Sequence, residues 1–416
     1  MKRFSFFLLM ICALSTNACA QWYLFPGKKK TTEPERKDTV KVVPAPDRKP
    51  GSGIEVTDNG DTLHVDLSGG PEPEEVFVLD IPSTIHIGLV LPLQASGKAS
   101  DNFLDMYSGA LMALRDLGNK GLKADLQVFD SADGKTPLPQ TLIDESDVIL
   151  GPVSYDDLRN TLALCGPGKV LVSPLEPKAA ELISTGQVVQ APTPWTAQID
   201  DLVRWIREEL PVGEELYVVR DTAAAGNGEQ AAYLLRALQE GSVRCKNVLS
   251  TREITFRKDR KARVLIASDR DNFITTAVRN LSIEGARNND VILYGTSRIR
   301  TSGTGPSDLH NANAHITAAY FINYEDPEVK RFILEYRALF QNEPGSFSFQ
   351  GYDTMNYFVT MCAKYGRQWY KMLQEYGAKG LQSDFSFRKE AADARVNQAV
   401  RRIVYNSDLT VDLMAY

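Results

Sequence analysis

Residues 84–117 read TIHIGLVLPLQASGKASDNFLDMYSGALMALRDL. The run from Ile85 to Val90 is short, apolar and β-branched, which predicts a strand covered on both faces. Pro92 ends it, because proline has no N–H to give to a sheet. A polar loop follows over 94–101. Beyond the loop, Phe103, Leu104, Tyr107, Ala110, Leu111 and Leu114 recur every three or four residues, which predicts a helix with one apolar face. Strand, polar loop and amphipathic helix open a βαβ unit. Open parallel sheets gather ligands at loops beyond the carboxyl ends of their strands, so loop 93–101 is a first candidate for contact with a small molecule.

The same alternation runs on from residue 117 towards the C-terminus. Short apolar runs at 126–130, 148–152, 170–174 and 187–190 are separated by helical patterns at 139–145 and 155–164. A second set follows. Strands at 216–220, 264–267 and 291–294 alternate with helices at 197–209, 228–240 and 272–283, and a polar loop covers 295–308. A strand at 316–321 and helices at 327–340 and 348–365 come next, and the tail beyond 382 is strand-like. Helical crossovers imply parallel strands, so the expectation is an α/β chain with two parallel sheets in tandem.

The N-terminal part is different. Lys2 and Arg3 lead an apolar run from Phe4 to Leu14, followed by Ala18-Cys19-Ala20, the pattern of a secretory signal peptide over 1–20. Lipidation at Cys19 is the lesser alternative. The run is too short for a membrane span. Residues 21–83 are rich in proline, glycine and charge and read as a low-complexity tether, with a hairpin at 53–67 around Asn59-Gly60. Without the leader, 45 basic residues face 53 acidic ones, which argues against a nucleic-acid partner. Cys165, Cys245 and Cys362 are far apart and allow at most one disulfide, with buried free thiols the simpler reading.

Enzyme motifs fail. The chain has no G-x-S-x-G, no G-x-x-x-x-G-K-[ST] and no G-x-G-x-x-G. His86 reads as a hydrogen-bonded core residue and His310 and His315 as solvated, with no zinc pattern among them. Neither cofactor, metal nor catalytic residue is expected. Some loops attract attention. Ser154 follows a strand and opens a helix, so it reads either as an N-cap or as a ligand contact, and Ser173 repeats the arrangement one strand later. Trp195 reads as hinge packing or as the wall of a cleft. Asp221, Thr222 and Thr296 follow strand ends, and Arg298 reads either as a bidentate partner for a carboxylate or, more simply, as a solvated surface charge.

In this order the motifs resemble those of the type I periplasmic binding proteins, the group that includes branched-chain amino-acid receptors and other ABC-transporter solute-binding proteins. The residues that carry the resemblance are Ile87-Gly88-Leu89-Val90-Leu91-Pro92-Leu93, Tyr107-Ser108-Gly109-Ala110, Val148-Ile149-Leu150-Gly151-Pro152-Val153-Ser154, Val172-Ser173-Pro174, Phe332 to Tyr336 and, most distinctively, Gly351-Tyr352-Asp353. It implies two Rossmann-like lobes with parallel sheets, joined by three crossovers near 191–195, 315–319 and 376–382. Lobe 1 would hold 84–190 and 319–378, and lobe 2 would hold 191–318 and 379–416. Carried over by position, Gln94, Ser96, Ser154, Tyr155 and Ser173 would meet a ligand from the first lobe, and Asp221, Thr222 and Thr296 from the second, with Trp195 beside the cleft. The implied role is a periplasmic protein that holds a small polar or amino-acid-like ligand for a membrane permease. The alternative is an envelope interaction protein of the same fold that regulates peptidoglycan synthesis through a cell-wall synthase, without a small ligand.

Overall fold

The computed structural model describes residues 79–94, 97–132, 137–388 and 395–414. The expected signal peptide, tether and hairpin lie outside the described residues, as does Ser96. The first half runs β1 (Ile85–Leu91), α1 (Asp101–Asn119), β2 (Ala124–Asp130), α2 (Gln140–Glu145), β3 (Val148–Leu150), α3 (Tyr155–Leu162), β4 (Leu171–Ser173) and β5 (Val188–Gln190). These strands form one parallel sheet in the order β2-β1-β3-β4-β5. The second half runs α4 (Trp195–Glu209), β6 (Leu216–Arg220), α5 (Glu229–Glu240), β7 (Cys245–Val248), β8 (Ala262–Ala267), α6 (Asp271–Ala286), β9 (Val291–Thr296), α7 (Arg298–Thr301), α8 (Pro306–Asn311) and β10 (Ala314–Ala318). Then come α9 (Pro327–Phe340), α10 (Ser346–Tyr365), β11 (Arg401–Tyr405) and β12 (Val411–Met414). The second sheet has the order β12-β11-β10-β9-β8-β6-β7. It is parallel from β7 to β10, but β11 and β12 are antiparallel, which departs from the all-parallel expectation. A tight link of five residues joins β11 to β12, which makes that pair antiparallel.

Each sheet has its own core. Ile87, Leu89 and Leu91 of β1 pack with Met106, Ala110 and Ala113 of α1 and with Phe349, Met355 and Phe358 of α10. The helices α1 and α10 meet backbone to backbone. A Cβ on Gly109 would lie 1.8 Å from the Ser348 carbonyl oxygen, and one on Gly351 would lie 2.0 Å from that of Met106. Only glycine permits this approach. Around the second sheet, Val264, Leu293, Ile316 and Ile403 from four adjacent strands pack against Val278 and Leu281 of α6.

Gly351-Tyr352-Asp353 divides its work among three jobs. Gly351 admits α1. The Tyr352 hydroxyl donates to Asp116 of α1 at 2.9 Å. The buried Asp353 carboxylate accepts from the backbone N–H groups of Leu381 (2.6 Å), Gln382 (2.8 Å) and Ser383 (2.9 Å). Burial pushes this carboxyl up to about 6, and the three N–H donors together with nearby Arg401 oppose the rise. Arg401, at the start of β11, donates to the carbonyls of Phe321, Leu381 and Gly380 and to the Asp384 carboxylate. Asn397 donates to the carbonyls of Ala191 and Asp384, and Thr193 donates to that of Ala399 at 2.6 Å. The links between the two sheets are thereby laced together at one edge.

This lacing moves one expected boundary. The resemblance implies that residues from 379 onward belong to the second lobe. Instead Phe385 and Phe387 pack in the first core, stacked with Tyr357, and Val396 pairs with Gln190 and joins the core beneath β3 and β4. The chain reaches the second sheet only at Arg401. The histidines also differ from expectation. His310 and His315 are buried, with His315 stacked on Trp205 and bonded to Glu209, whereas His86 is half-exposed. Cys362 is buried, Cys165 and Cys245 are half-buried, and all three are free thiols. Among the described residues no helix is long and apolar enough to cross a membrane.

Removing either partner of a buried charged network leaves the rest uncompensated, typically at about 3 kcal/mol or more. Asp353→Ala and Arg401→Met are each expected to lower unfolding free energy by about that much in urea, and the double variant by clearly less than the sum. Small, strictly additive losses would show that the lacing does not hold the sheets together.

Candidate functional site

The carboxyl ends of the parallel strands carry most of the residues singled out in the sequence, and their chemistry differs sharply between the halves. In the first half, Ser154 is the N-cap of α3. Its hydroxyl accepts from the Asp157 N–H at 3.2 Å and donates to the Asp157 carboxylate at 2.7 Å. The capping reading is therefore what the geometry displays. Tyr155 begins α3, half-buried, with the Arg159 guanidinium 5.9 Å from its ring centre. Ser173 ends β4 fully buried, and its hydroxyl has no partner among the described residues. Gln94 is exposed in the turn after β1, where its N–H donates to the Asp130 carboxylate at 3.3 Å.

In the second half, Asp221 is turned inward. Arg270 grips its carboxylate with two bonds of 2.7 Å, the Ser268 hydroxyl donates at 2.7 Å, and the Ala223 N–H donates at 3.0 Å. Four donors saturate a carboxylate. The Arg270 guanidinium holds it at about 2, against the effect of burial. Gly226 closes the cage, since a Cβ there would lie 2.1 Å from the Asp221 Oδ2. Asp221 is thus an internal ion pair. Thr222, next to it, is exposed.

Trp195 and Thr296 do come together. With Gln198, Gln230, Ser297, Arg298 and Thr301 they line a polar pocket between the first turn of α4, the end of β9 and α7. Trp195 stands half-buried at the start of α4, edge to face with Tyr233 at 5.3 Å. The Ser297 hydroxyl donates to the Gln198 side-chain oxygen at 2.8 Å. Arg298 donates to the Asp269 carbonyl and, at 3.1 Å, to the Asp271 carboxylate, while its Nε is buried without a partner among the described residues. Of the expected contacts, then, two share one pocket, Ser154 and Asp221 are engaged within their own halves, and Ser173 is buried. None of the first-half residues lines the pocket. Gln198 was missed because it reads as one more polar position on an amphipathic helix. Its one visible signal is that it falls within a turn of Trp195, beside Pro192-Thr193-Pro194.

No family model and no curated protein matches the chain. Among solved structures, it is similar to a putative branched-chain amino acid ABC transporter from Rhodospirillum rubrum, at 16% identity, covering 80% of this chain and 100% of that one, with a TM-score of 0.55. An ABC transporter substrate-binding protein from Desulfitobacterium hafniense is 15% identical over 80% of this chain and 100% of that one, with a TM-score of 0.46. The likeness to the Rhodospirillum protein, at this identity, establishes a shared fold.

The state of Asp221 makes a measurable claim. Its folded pKa lies below the ordinary 3.8, so its contribution is complete above that pH and is lost as pH falls towards about 2. Asp221→Asn is expected to cost about 2 kcal/mol at neutral pH and to lose most of that penalty near pH 2. A variant equally stable at pH 7 would mean that the carboxylate is not held by Arg270. By comparison, Ser154→Ala should cost about 1 kcal/mol, the ordinary value of an N-cap.

Proposed function

Taking the type I periplasmic binding fold as the frame, we propose that this protein is a non-catalytic solute-binding protein of the cell envelope. It holds a small polar ligand between its two halves and presents it to a membrane permease. The observation that carries this reading is the polar pocket at Trp195, Gln198, Thr296 and Arg298. It lies beyond the carboxyl end of β9, where parallel sheets collect ligands, and one wall is an aromatic ring. Gln94 and Tyr155 would face it from the first half, at the ends of β1 and β3. Catalysis is disfavoured by the candidate nucleophiles themselves: the Ser154 hydroxyl is engaged with Asp157 in a helix cap, and Ser173 is fully buried.

A second reading draws on a specific observation. Ser154 and Asp221, both expected to touch a ligand, are satisfied internally. That is what an envelope scaffold would show if it had kept the fold and acted on a cell-wall synthase without a small ligand.

Thermal unfolding separates the two. A ligand that binds only the folded chain at 100 times its Kd adds about 2.7 kcal/mol, a rise of several degrees. Screening millimolar amino acids, organic acids, sugars and polyols against the full chain should reveal at least one such stabiliser. A flat profile across the panel, together with co-purification of a cell-wall synthase, would replace the first reading by the second.

A further inference from the structure

The pocket on the second half has a one-sided chemistry. Its lining of Trp195, Gln198, Gln230, Thr296, Ser297, Arg298 and Thr301 contains one cation and no carboxylate. Two side-chain donors there have no protein partner among the described residues. Gln198 is only 7% exposed, and its side-chain oxygen is occupied by the Ser297 hydroxyl, which leaves its NH₂ for the pocket with no partner among the described residues. The Arg298 Nε is buried in the same condition. The pocket also sits at the start of α4, a helix of 15 residues whose N-cap, Pro194, supplies no side-chain acceptor. Uncapped first-turn N–H groups and the helix dipole both favour negative charge at that point.

The acids nearby do not reverse this balance. Asp221 is neutralised by Arg270, Asp269 accepts the Ala231 N–H at 3.2 Å, and Asp271 pairs with Arg298. An ammonium group entering the pocket would meet unpartnered N–H donors, and the carboxylates at its margin, Asp269 and Asp271, already accept from Ala231 and Arg298. An acidic group would satisfy Gln198 Nε2 and Arg298 Nε together.

We propose that this pocket receives an anion, and that the ligand is a small organic acid whose charged end faces Gln198 and Arg298 and whose body lies along Trp195. The proposal rests on the solute-binding reading and narrows it: an amino group is not required on the side that faces the second half.

Paired acids and amides test it, because each pair differs in charge at nearly constant shape. Titration calorimetry on the full chain would compare acetate with acetamide, succinate with succinamide and benzoate with benzamide, with benzylamine as the cationic arm and inorganic phosphate as the arm for a non-carboxylate anion. At least one acid should bind ten times or more tighter than its amide. Its affinity should fall at least tenfold in Arg298→Gln and in Gln198→Met, and be partly retained in Arg298→Lys. Tight binding of phosphate with none of the acids would overturn the assignment to organic acids. Equal binding of acids and amides, stronger binding of benzylamine, no binding of any acid, or an acid indifferent to Arg298→Gln would each overturn it too. If a neutral or cationic compound from the wider panel still stabilises the chain, solute binding stands and only the anion assignment fails. If nothing binds in either panel, solute binding itself fails.

Discussion

A single buried carboxylate, that of Asp353, holds the links between the sheets in place. It projects from α10, the helix that packs against the first sheet, and grips three consecutive backbone N–H groups at 381–383. The carbonyls on the other side of that segment are taken by Arg401, the first residue of β11 in the second sheet. One half of the molecule thus reaches the other through a short piece of chain whose polar groups are used on both sides. The Phe321 carbonyl on the same guanidinium, and the Asn397 bond to Ala191, bring the other two links into the same knot.

The alternation of the fold was legible because its signals are local. The apolar run at β1, the proline behind it and the spacing on α1 all report burial within a few residues of one another. Gly109 and Gly351 stood out as motif positions, and the structure supplies their physical reason, the contact of α1 with α10. The path of the chain through 379–400 was not legible. Phe385 and Phe387 alternate with exposed neighbours as on a strand, but which core they and Val396 enter depends on partners far away in sequence, Tyr357 and Gln190. β7 was missed for the opposite reason. Its sequence, Cys-Lys-Asn-Val, is polar, and it survives as an edge strand with two exposed positions.

Of the candidate contacts read from strand ends and polar loops, Trp195 and Thr296 meet at one pocket of the second sheet, and the others do not join them. What a strand-end residue does, however, depends on its neighbours across the sheet. Asp221 looks like a ligand contact until Arg270, nearly fifty positions away, closes on it with two bonds. Arg298 looks like a solvated charge until its Nε proves to be buried beside Gln198.

The most direct test is to ask the native protein what it carries. The chain would be purified without denaturation and the small molecules released by heat or acid identified by mass spectrometry. The expected result is one acidic compound, close to stoichiometric with the protein and absent from a parallel preparation of Arg298→Gln. An amine, a neutral compound equally abundant in both preparations, or no small molecule at all would contradict the account.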